Sequence, residues 1–172
     1  MAQTTGGVLL KTTDIDGKDY RDAMAHFAGH LHVISTDGEA GKRAIAATAV
    51  TSVSDNPPIV LACINLSIPD NTLFLKNGVF AINTLGQSHL ELAKACSGIT
   101  PVDQDQRFSI GRWSQLATGA PVLEDAVATF DCTVMEVREM ATHFVFFGKV
   151  AGVRRGKNQP PLLYHDRGFR VL

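Results

Sequence analysis

The sequence has little of what secreted, membrane-spanning and nucleic-acid-binding chains carry. Cysteine is scarce: Cys63, Cys96 and Cys132 are the three present, no two stand in a CxxC pair, and an odd number cannot all pair within one chain. Buried free thiols are the expectation, not a disulfide framework. Charge of one sign is not in excess, since 16 Lys and Arg stand against 17 Asp and Glu for a formal net charge of -1. Such a balance provides no basic field for nucleic acid or an anionic membrane surface, so neither is expected as a partner. Long apolar runs are missing as well. Near the N-terminus the run is Val8 to Leu10, far short of a signal-peptide core or a spanning helix, and the chain is expected to be cytoplasmic.

Several cofactor and metal signatures are also absent. There is no GxGxxG, hence no Rossmann cradle for a nicotinamide dinucleotide. Gly38-Glu-Ala-Gly41-Lys42 lacks the GxxxxGK[ST] spacing and reads as a hairpin turn. His30 and His32 would share one face of a strand, but no third and fourth ligand accompanies them, so no metal is expected. Asn65-Leu66-Ser67 fits a glycosylation acceptor in pattern only, because it closes a core strand.

What is present is a chain of 172 residues with 45% hydrophobic content, enough for one compact core and a single domain spanning 1–172. Tyr20, Ala23, Met24 and Phe27 recur at helical spacing from Asp19 to Phe27, with Asp16 or Asp19 as a cap. LHVIST, the turn DGEAGK and the small-residue run Ala44–Ser54 read as a hairpin. Ile59–Leu66 is almost continuously apolar, as for a central strand buried on both faces. A short helix after Asp70 stops at Asn77 and Gly78, and Val79–Leu85 returns as a strand. Ser88 and Glu91 make a capping-box pattern for a helix from His89 to Ser97. Gly98 to Pro121 reads as a long ordered loop. Ala126–Arg138, Thr142–Val153 and Leu162–Val171, broken at Asp166–Gly168, are three antiparallel strands. The sum is a mainly β chain, an antiparallel barrel with short peripheral helices.

Two consecutive loops gather small and hydroxylated residues: Ala46, Ala47, Thr48, Ala49, Val50, Thr51 and Ser52, then Asn65, Ser67, Asn71 and Thr72. Small side chains let a flat ring approach the backbone, and hydroxyls, amides and N–H groups at a helix start can hold a phosphate without Arg or Lys. The combination suits a flavin mononucleotide.

The run Ala44-Ile-Ala-Ala-Thr-Ala-Val-Thr-Ser-Val-Ser54, followed by Asp-Asn-Pro-Pro-Ile-Val-Leu and then Cys-Ile-Asn65, resembles the short flavin reductase family, the reductase components of two-component flavin monooxygenases. The likeness continues through Tyr20-Arg-Asp-Ala-Met24, Arg107-Phe108-Ser109, Thr142-His143-Phe144 and Leu162-Leu-Tyr164. The reductase component of 4-hydroxyphenylacetate 3-monooxygenase and the cobalt-corrin reductases of cobalamin synthesis both look like this family. The resemblance implies an FMN-binding split β-barrel, an antiparallel Greek-key barrel that forms a homodimer with one flavin per subunit near the interface. FMN, with FAD as the alternative, would be the flavin, and NADH or NADPH the co-substrate. The acceptor would be free flavin serving a partner monooxygenase, or a corrinoid; a flavin- or haem-binding barrel without turnover is the third reading.

Carried over position by position, the resemblance implies that Ala46 to Thr51 line the isoalloxazine and ribityl chain. Ser67, Asn71 and Thr72 would take the phosphate, beside Asn65. His143 would stand next to the nicotinamide as the catalytic residue, with Arg107, Phe108 and Tyr164 shaping that side. The chain departs from the family pattern at Ala44 and Ala46, where Gly and Thr are usual, which removes one hydroxyl contact, and in Ser67-Ile-Pro-Asp-Asn-Thr72, which replaces the commoner S-x-x-T.

Overall fold

The computed structural model describes residues 16–172, so the Val8–Leu10 run lies outside the described residues. Helix α1, Gly17–Met24, starts at Asp16, whose carboxylate accepts from the Lys18 N–H at 3.1 Å. It ends before Phe27, sooner than the apolar spacing predicts, because none of its residues is buried and nothing holds a further turn. The short strand β1, Gly29–His30, leads into β2, His32–Thr36, which turns back as β3, Arg43–Ala47. Strands β4, Val50–Asp55, and β5, Pro58–Asn65, form the next hairpin. Helix α2, Thr72–Asn77, stops at Gly78, whose φ of 66° suits a residue without Cβ. Then come β6, Val79–Thr84, and helices α3, Leu90–Cys96, and α4, Gln104–Ser109. The short pair β7, Trp113–Ser114, and β8, Val122–Leu123, precedes the long strands β9, Ala128–Met140, and β10, His143–Arg155; β11, Leu162–His165, and β12, Gly168–Val171, close the chain.

Seven strands make one antiparallel sheet in the order β3-β2-β6-β9-β10-β5-β4. Its two edges, β3 and β4, are joined by Thr48 and Ala49 alone. Three Cα steps cannot exceed about 11 Å, whereas the edges of a flat seven-stranded sheet would stand about 28 Å apart. The sheet therefore curls until its edges face each other, although among the described residues no ladder joins them. A second sheet, β1-β11-β12, lies beside it. Its hairpin turn places Asp166 and Arg167 at φ 47° and 55°, the left-handed pair that a two-residue β-turn requires.

The curl encloses Ile34, Ile45, Ala62, Ile64, Phe80, Ile82 and Phe146, with Phe74 of α2 packed in. Phe146 meets Phe74, Phe80 and Phe144 edge-to-face at centroid distances of 6.4, 6.1 and 5.9 Å; truncating it to Ala would cost about 3–5 kcal/mol. A second cluster, including Leu31, Ala44, Leu85, Leu92 and Leu123, seats α3.

Four expectations change. Ala44–Ser54 is not one strand: it breaks at Thr48–Ala49 and its halves pair with different partners. Strand β5 is second from an edge, not central, and only Val60, Ala62 and Ile64 of it are buried. Ser88 does not cap the helix; its hydroxyl donates to Gln159 at 2.8 Å, and His89 Nδ1 takes the Gly86 N–H instead. The stretch from Gly98 to Pro121 contains α4, opened by a reciprocal Asp103–Gln106 capping box.

Candidate functional site

The sheet edges and the elements around them enclose a cleft of about 520 Å³, within the size range of small-molecule sites. Its floor is the end of β3 and the link to β4: Ala46, Ala47, Thr48 and Ala49. The link is held by two backbone bonds of 2.9 Å, from the Val50 N–H to the Thr48 carbonyl and from the Cys63 N–H to the Ala49 carbonyl. No side chain larger than Thr stands on these four positions, so the backbone is open to a flat ligand.

One wall comes from β5 and β10, which pair Asn65 with His143. The His143 imidazole lines the cleft, and its Nδ1 lies 2.8 Å from the Thr142 hydroxyl. Where that hydroxyl donates, Nε2 keeps the ring N–H. The Asn65 side chain accepts from the Ser67 N–H at 2.7 Å, and its carbonyl accepts from Asn71 Nδ2 at 2.8 Å. The opposite wall is Tyr164 with Phe169, packed edge-to-face at 5.7 Å on the β11–β12 hairpin.

Arg43, Arg107 and Asn71 form the polar end. Arg43 Nε donates to Asn71 Oδ1 at 3.0 Å and its Nη1 lies 3.3 Å from the Asp70 carboxylate. Arg107 Nη1 donates to the Ala44 carbonyl at 2.9 Å, while its Nε is buried and has no partner among the described residues. Cys63 and Cys96 also reach the cleft. Burial pushes the Cys96 thiol up to about 12 and raises that of Cys63, so neither is a thiolate at neutral pH and thiol nucleophile chemistry finds no support here. A hollow of about 460 Å³ adjoins the cleft, shares Thr48, Ala49 and Tyr164 with it, and is bordered by Arg21, Phe27 and Arg167.

Of the residues singled out in the sequence, Ala46, Ala47, Thr48, Ala49, Asn65, Asn71, Arg107, His143 and Tyr164 come together in this cleft. Five do not line it. Val50 packs on the core inside the curl, Thr51 is exposed on β4, and Ser67 is exposed on its loop. The Thr72 hydroxyl donates to the Pro69 carbonyl at 2.8 Å. Phe108 packs against Trp113 at 5.0 Å beneath the Lys42 ammonium. The sequence reading missed Arg43, which follows a polar turn and looks like a solvated strand start. It also missed Ser97, Gly98 and Ile99 behind α3, for which no motif gives a signal. His30 Nε2 faces the Leu85 carbonyl at 2.8 Å and His32 Nδ1 the Thr84 hydroxyl at 3.2 Å; among the described residues no three His, Cys, Asp or Glu side chains converge as metal ligands.

Comparison with known proteins agrees with this geometry. The flavin reductase like domain matches residues 24–172. The FMN reductase (NADH) RutF of Agrobacterium fabrum is 41% identical over 162 residues, covering 94% of this chain and 92% of that one. BorF, the flavin reductase component of a bacterial two-component tryptophan halogenase, superposes with a TM-score of 0.82 at 28% identity, covering 91% of this chain and 98% of its own. An NADH:FAD oxidoreductase of Streptomyces globisporus superposes with a TM-score of 0.80 at 27% identity, over 91% and 95% of the two chains. A cleft floored by small residues between the edges of a curled sheet and a family match over most of the length lead to one assignment: the chain belongs to the flavin reductase family.

Proposed function

We propose that the chain is an NADH-dependent flavin reductase that uses FMN and supplies reduced flavin to a partner oxygenase. The observation that carries this is the cleft itself, where the small floor Ala46–Ala49, the amides Asn65 and Asn71 and the imidazole of His143 converge in a chain 41% identical to an FMN reductase (NADH). The residues present fit a flavin. The floor admits a planar ring, backbone groups at its edge can bond ring heteroatoms, and the Arg107 Nε, without a partner among the described residues, awaits an acceptor. FMN, when bound, would take hydride from NADH and hand reducing equivalents on.

The chain's own residues then have separable tasks. Ala46 to Ala49 set how deep the ring sits, and Val50, packed on the core, backs the link, while Thr51 stays exposed on β4. Tyr164 limits the space on the nicotinamide side, the adjoining hollow offers room for the rest of the dinucleotide, and Arg107 stands apart at the polar end beside Arg43. His143 orients the nicotinamide, offering its Nε2–H where the Thr142 hydroxyl donates to Nδ1. FAD fits the same floor, as the Streptomyces oxidoreductase named above suggests, and NADPH is the alternative donor.

The larger frame belongs to this reading. One domain forms a split barrel, the split lying between β3 and β4, and two copies form a homodimer. No helix of the described residues is long and apolar enough to cross a membrane, in keeping with a cytoplasmic enzyme. The deciding experiment is anaerobic turnover with NADH and excess free FMN. Many flavin equivalents reduced per enzyme support the reading; negligible turnover with free flavin alongside efficient reduction of a cob(II)alamin acceptor replaces it with the corrinoid one.

A further inference from the structure

We propose that Arg43, held by Asn71, and Arg107 form a phosphoryl-binding subsite that takes the 5′-phosphate of FMN, in place of the hydroxyls of Ser67 and Thr72. The inference rests on the flavin reading of the cleft and concerns residues that the family pattern does not single out as a pair. Ser67 is exposed and outside the cleft. The Thr72 hydroxyl already donates its hydrogen bond to the Pro69 carbonyl, and Thr72 does not line the cleft either.

The two guanidiniums, by contrast, line the same end. Arg43 is held there at 7% side-chain exposure, which is costly for a cation unless an anion or a set of acceptors repays the lost hydration. What the fold provides is one amide oxygen at 3.0 Å and one carboxylate at 3.3 Å, that of Asp70, itself 71% exposed and screened by solvent. Burial lowers the pKa of Arg43, Asp70 opposes the shift and Arg107 adds to it. Among the described residues the sum at this end is two cations against one exposed carboxylate, and the buried Nε of Arg107 has no partner among them.

A dianionic phosphate monoester meets each of these needs. Its oxygens accept from the guanidinium forks in the charge-assisted geometry that arginine favours, and its charge offsets the surplus. Asn71, with Nδ2 on the Asn65 carbonyl and Oδ1 on Arg43 Nε, is a positioning residue. It ties the guanidinium to the loop that also carries the cleft-lining Asn65. In this arrangement Asp70 competes with the ligand for Arg43 and moderates affinity, which suits an enzyme that must release its reduced flavin.

The test compares dissociation constants for FMN and riboflavin, which differ only in the phosphate, measured by flavin fluorescence on the full chain. Arg43→Met is expected to weaken FMN roughly 10- to 100-fold, the loss of a charge-assisted contact, and to leave riboflavin within about two-fold. Asp70→Asn, at an exposed position where folding is not at stake, is expected to tighten FMN a few-fold, about what a partly screened charge is worth, and again spare riboflavin. Ser67→Ala and Thr72→Ala are expected to change FMN less than Arg43→Met does. Equal losses for both flavins in Arg43→Met, weaker FMN binding in Asp70→Asn, or larger losses at Ser67 or Thr72 would overturn the subsite. A raised KM for NADH in Arg43→Met with FMN affinity intact would assign the cluster to the dinucleotide diphosphate and overturn it too. If the unsubstituted chain binds neither flavin, the flavin reading itself fails. That outcome is distinct from a chain that binds both and does not discriminate through Arg43.

Discussion

Strands β3 and β4 are neighbours in the chain and bound the same sheet, yet they sit in opposite surroundings. On β3 the first three positions, Arg43, Ala44 and Ile45, are buried, and α3 and α4 cover the strand. Its outward backbone groups are satisfied by side chains: the Ala44 N–H donates to Gln104 Oε1 at 2.8 Å and its carbonyl accepts from Arg107 at 2.9 Å. On β4 no residue is buried, and Val53 is 49% exposed. A sheet edge must be paired, covered or left to water or a second chain. Among the described residues, one edge is covered by the chain's own helices and the other is left bare. The cleft opens where the covered edge passes into the bare one.

Four experiments can break or sharpen that contrast, beginning with the largest effect. Ala44→Phe forces a ring into a fully buried position between β3 and its helices, and a loss of about 3 kcal/mol or more is expected. Ser52→Phe on β4 should stay within about 0.5 kcal/mol; urea denaturation of both compares the edges directly, and similar losses would abolish the distinction. The second concerns His32, which pairs with Ala47 of β3. Its pKa is pushed down to about 4, first by burial and then by His30, so the folded state keeps it neutral where the unfolded chain takes a proton below about 6.5. Its contribution is complete above pH 6.5 and is lost as the pH falls towards 4. His32→Gln should remove roughly 3 kcal/mol of this acid-dependent loss, and an unchanged pH profile of stability would show that the imidazole is solvated.

The third experiment moves to the bare side, where His143 faces the cleft. His143→Ala is expected to slow flavin reduction by NADH roughly ten-fold, the worth of about one hydrogen bond, with FMN affinity within about two-fold. Stopped-flow traces with unchanged rates would assign the residue to structure. The smallest expected effect is that of Val53→Asp on chain stability, within about 0.5 kcal/mol, because the side chain has little to lose. If two copies associate through the bare edge, the same change should lower the dimer fraction in sedimentation velocity; an association left intact would place the contact elsewhere.

These contrasts also show how far the sequence could be read. Strand periodicity was legible because alternation survives in β9 and β10, whose observed bounds fall within two residues of those expected. The loop of small residues was legible through its resemblance to a family. The break at Thr48–Ala49 was not, since no Gly or Pro punctuates it and both halves favour strand; the curl of the sheet makes the break. Helix α4 was legible in principle, because Asp103 and Gln106 stand at capping-box spacing, but Gly and Pro nearby outweighed that signal. Arg43 was illegible for a different reason. An arginine after a turn is ordinarily solvated, and only the tertiary fold, which brings Asn71 and Asp70 against Arg43, takes it out of water.

The two-residue link has a consequence for the integrity of the sheet. Ala47 and Val50 are close in sequence, but the sheet interposes β2, β6, β9, β10 and β5 between the strands they belong to. The floor of the cleft thus depends on every ladder in the ring, and a chain missing any one of them has no seat for a flavin. Flavin capture then reports the finished sheet more strictly than secondary-structure content does. Any ligand that binds there stabilises only the completed molecule.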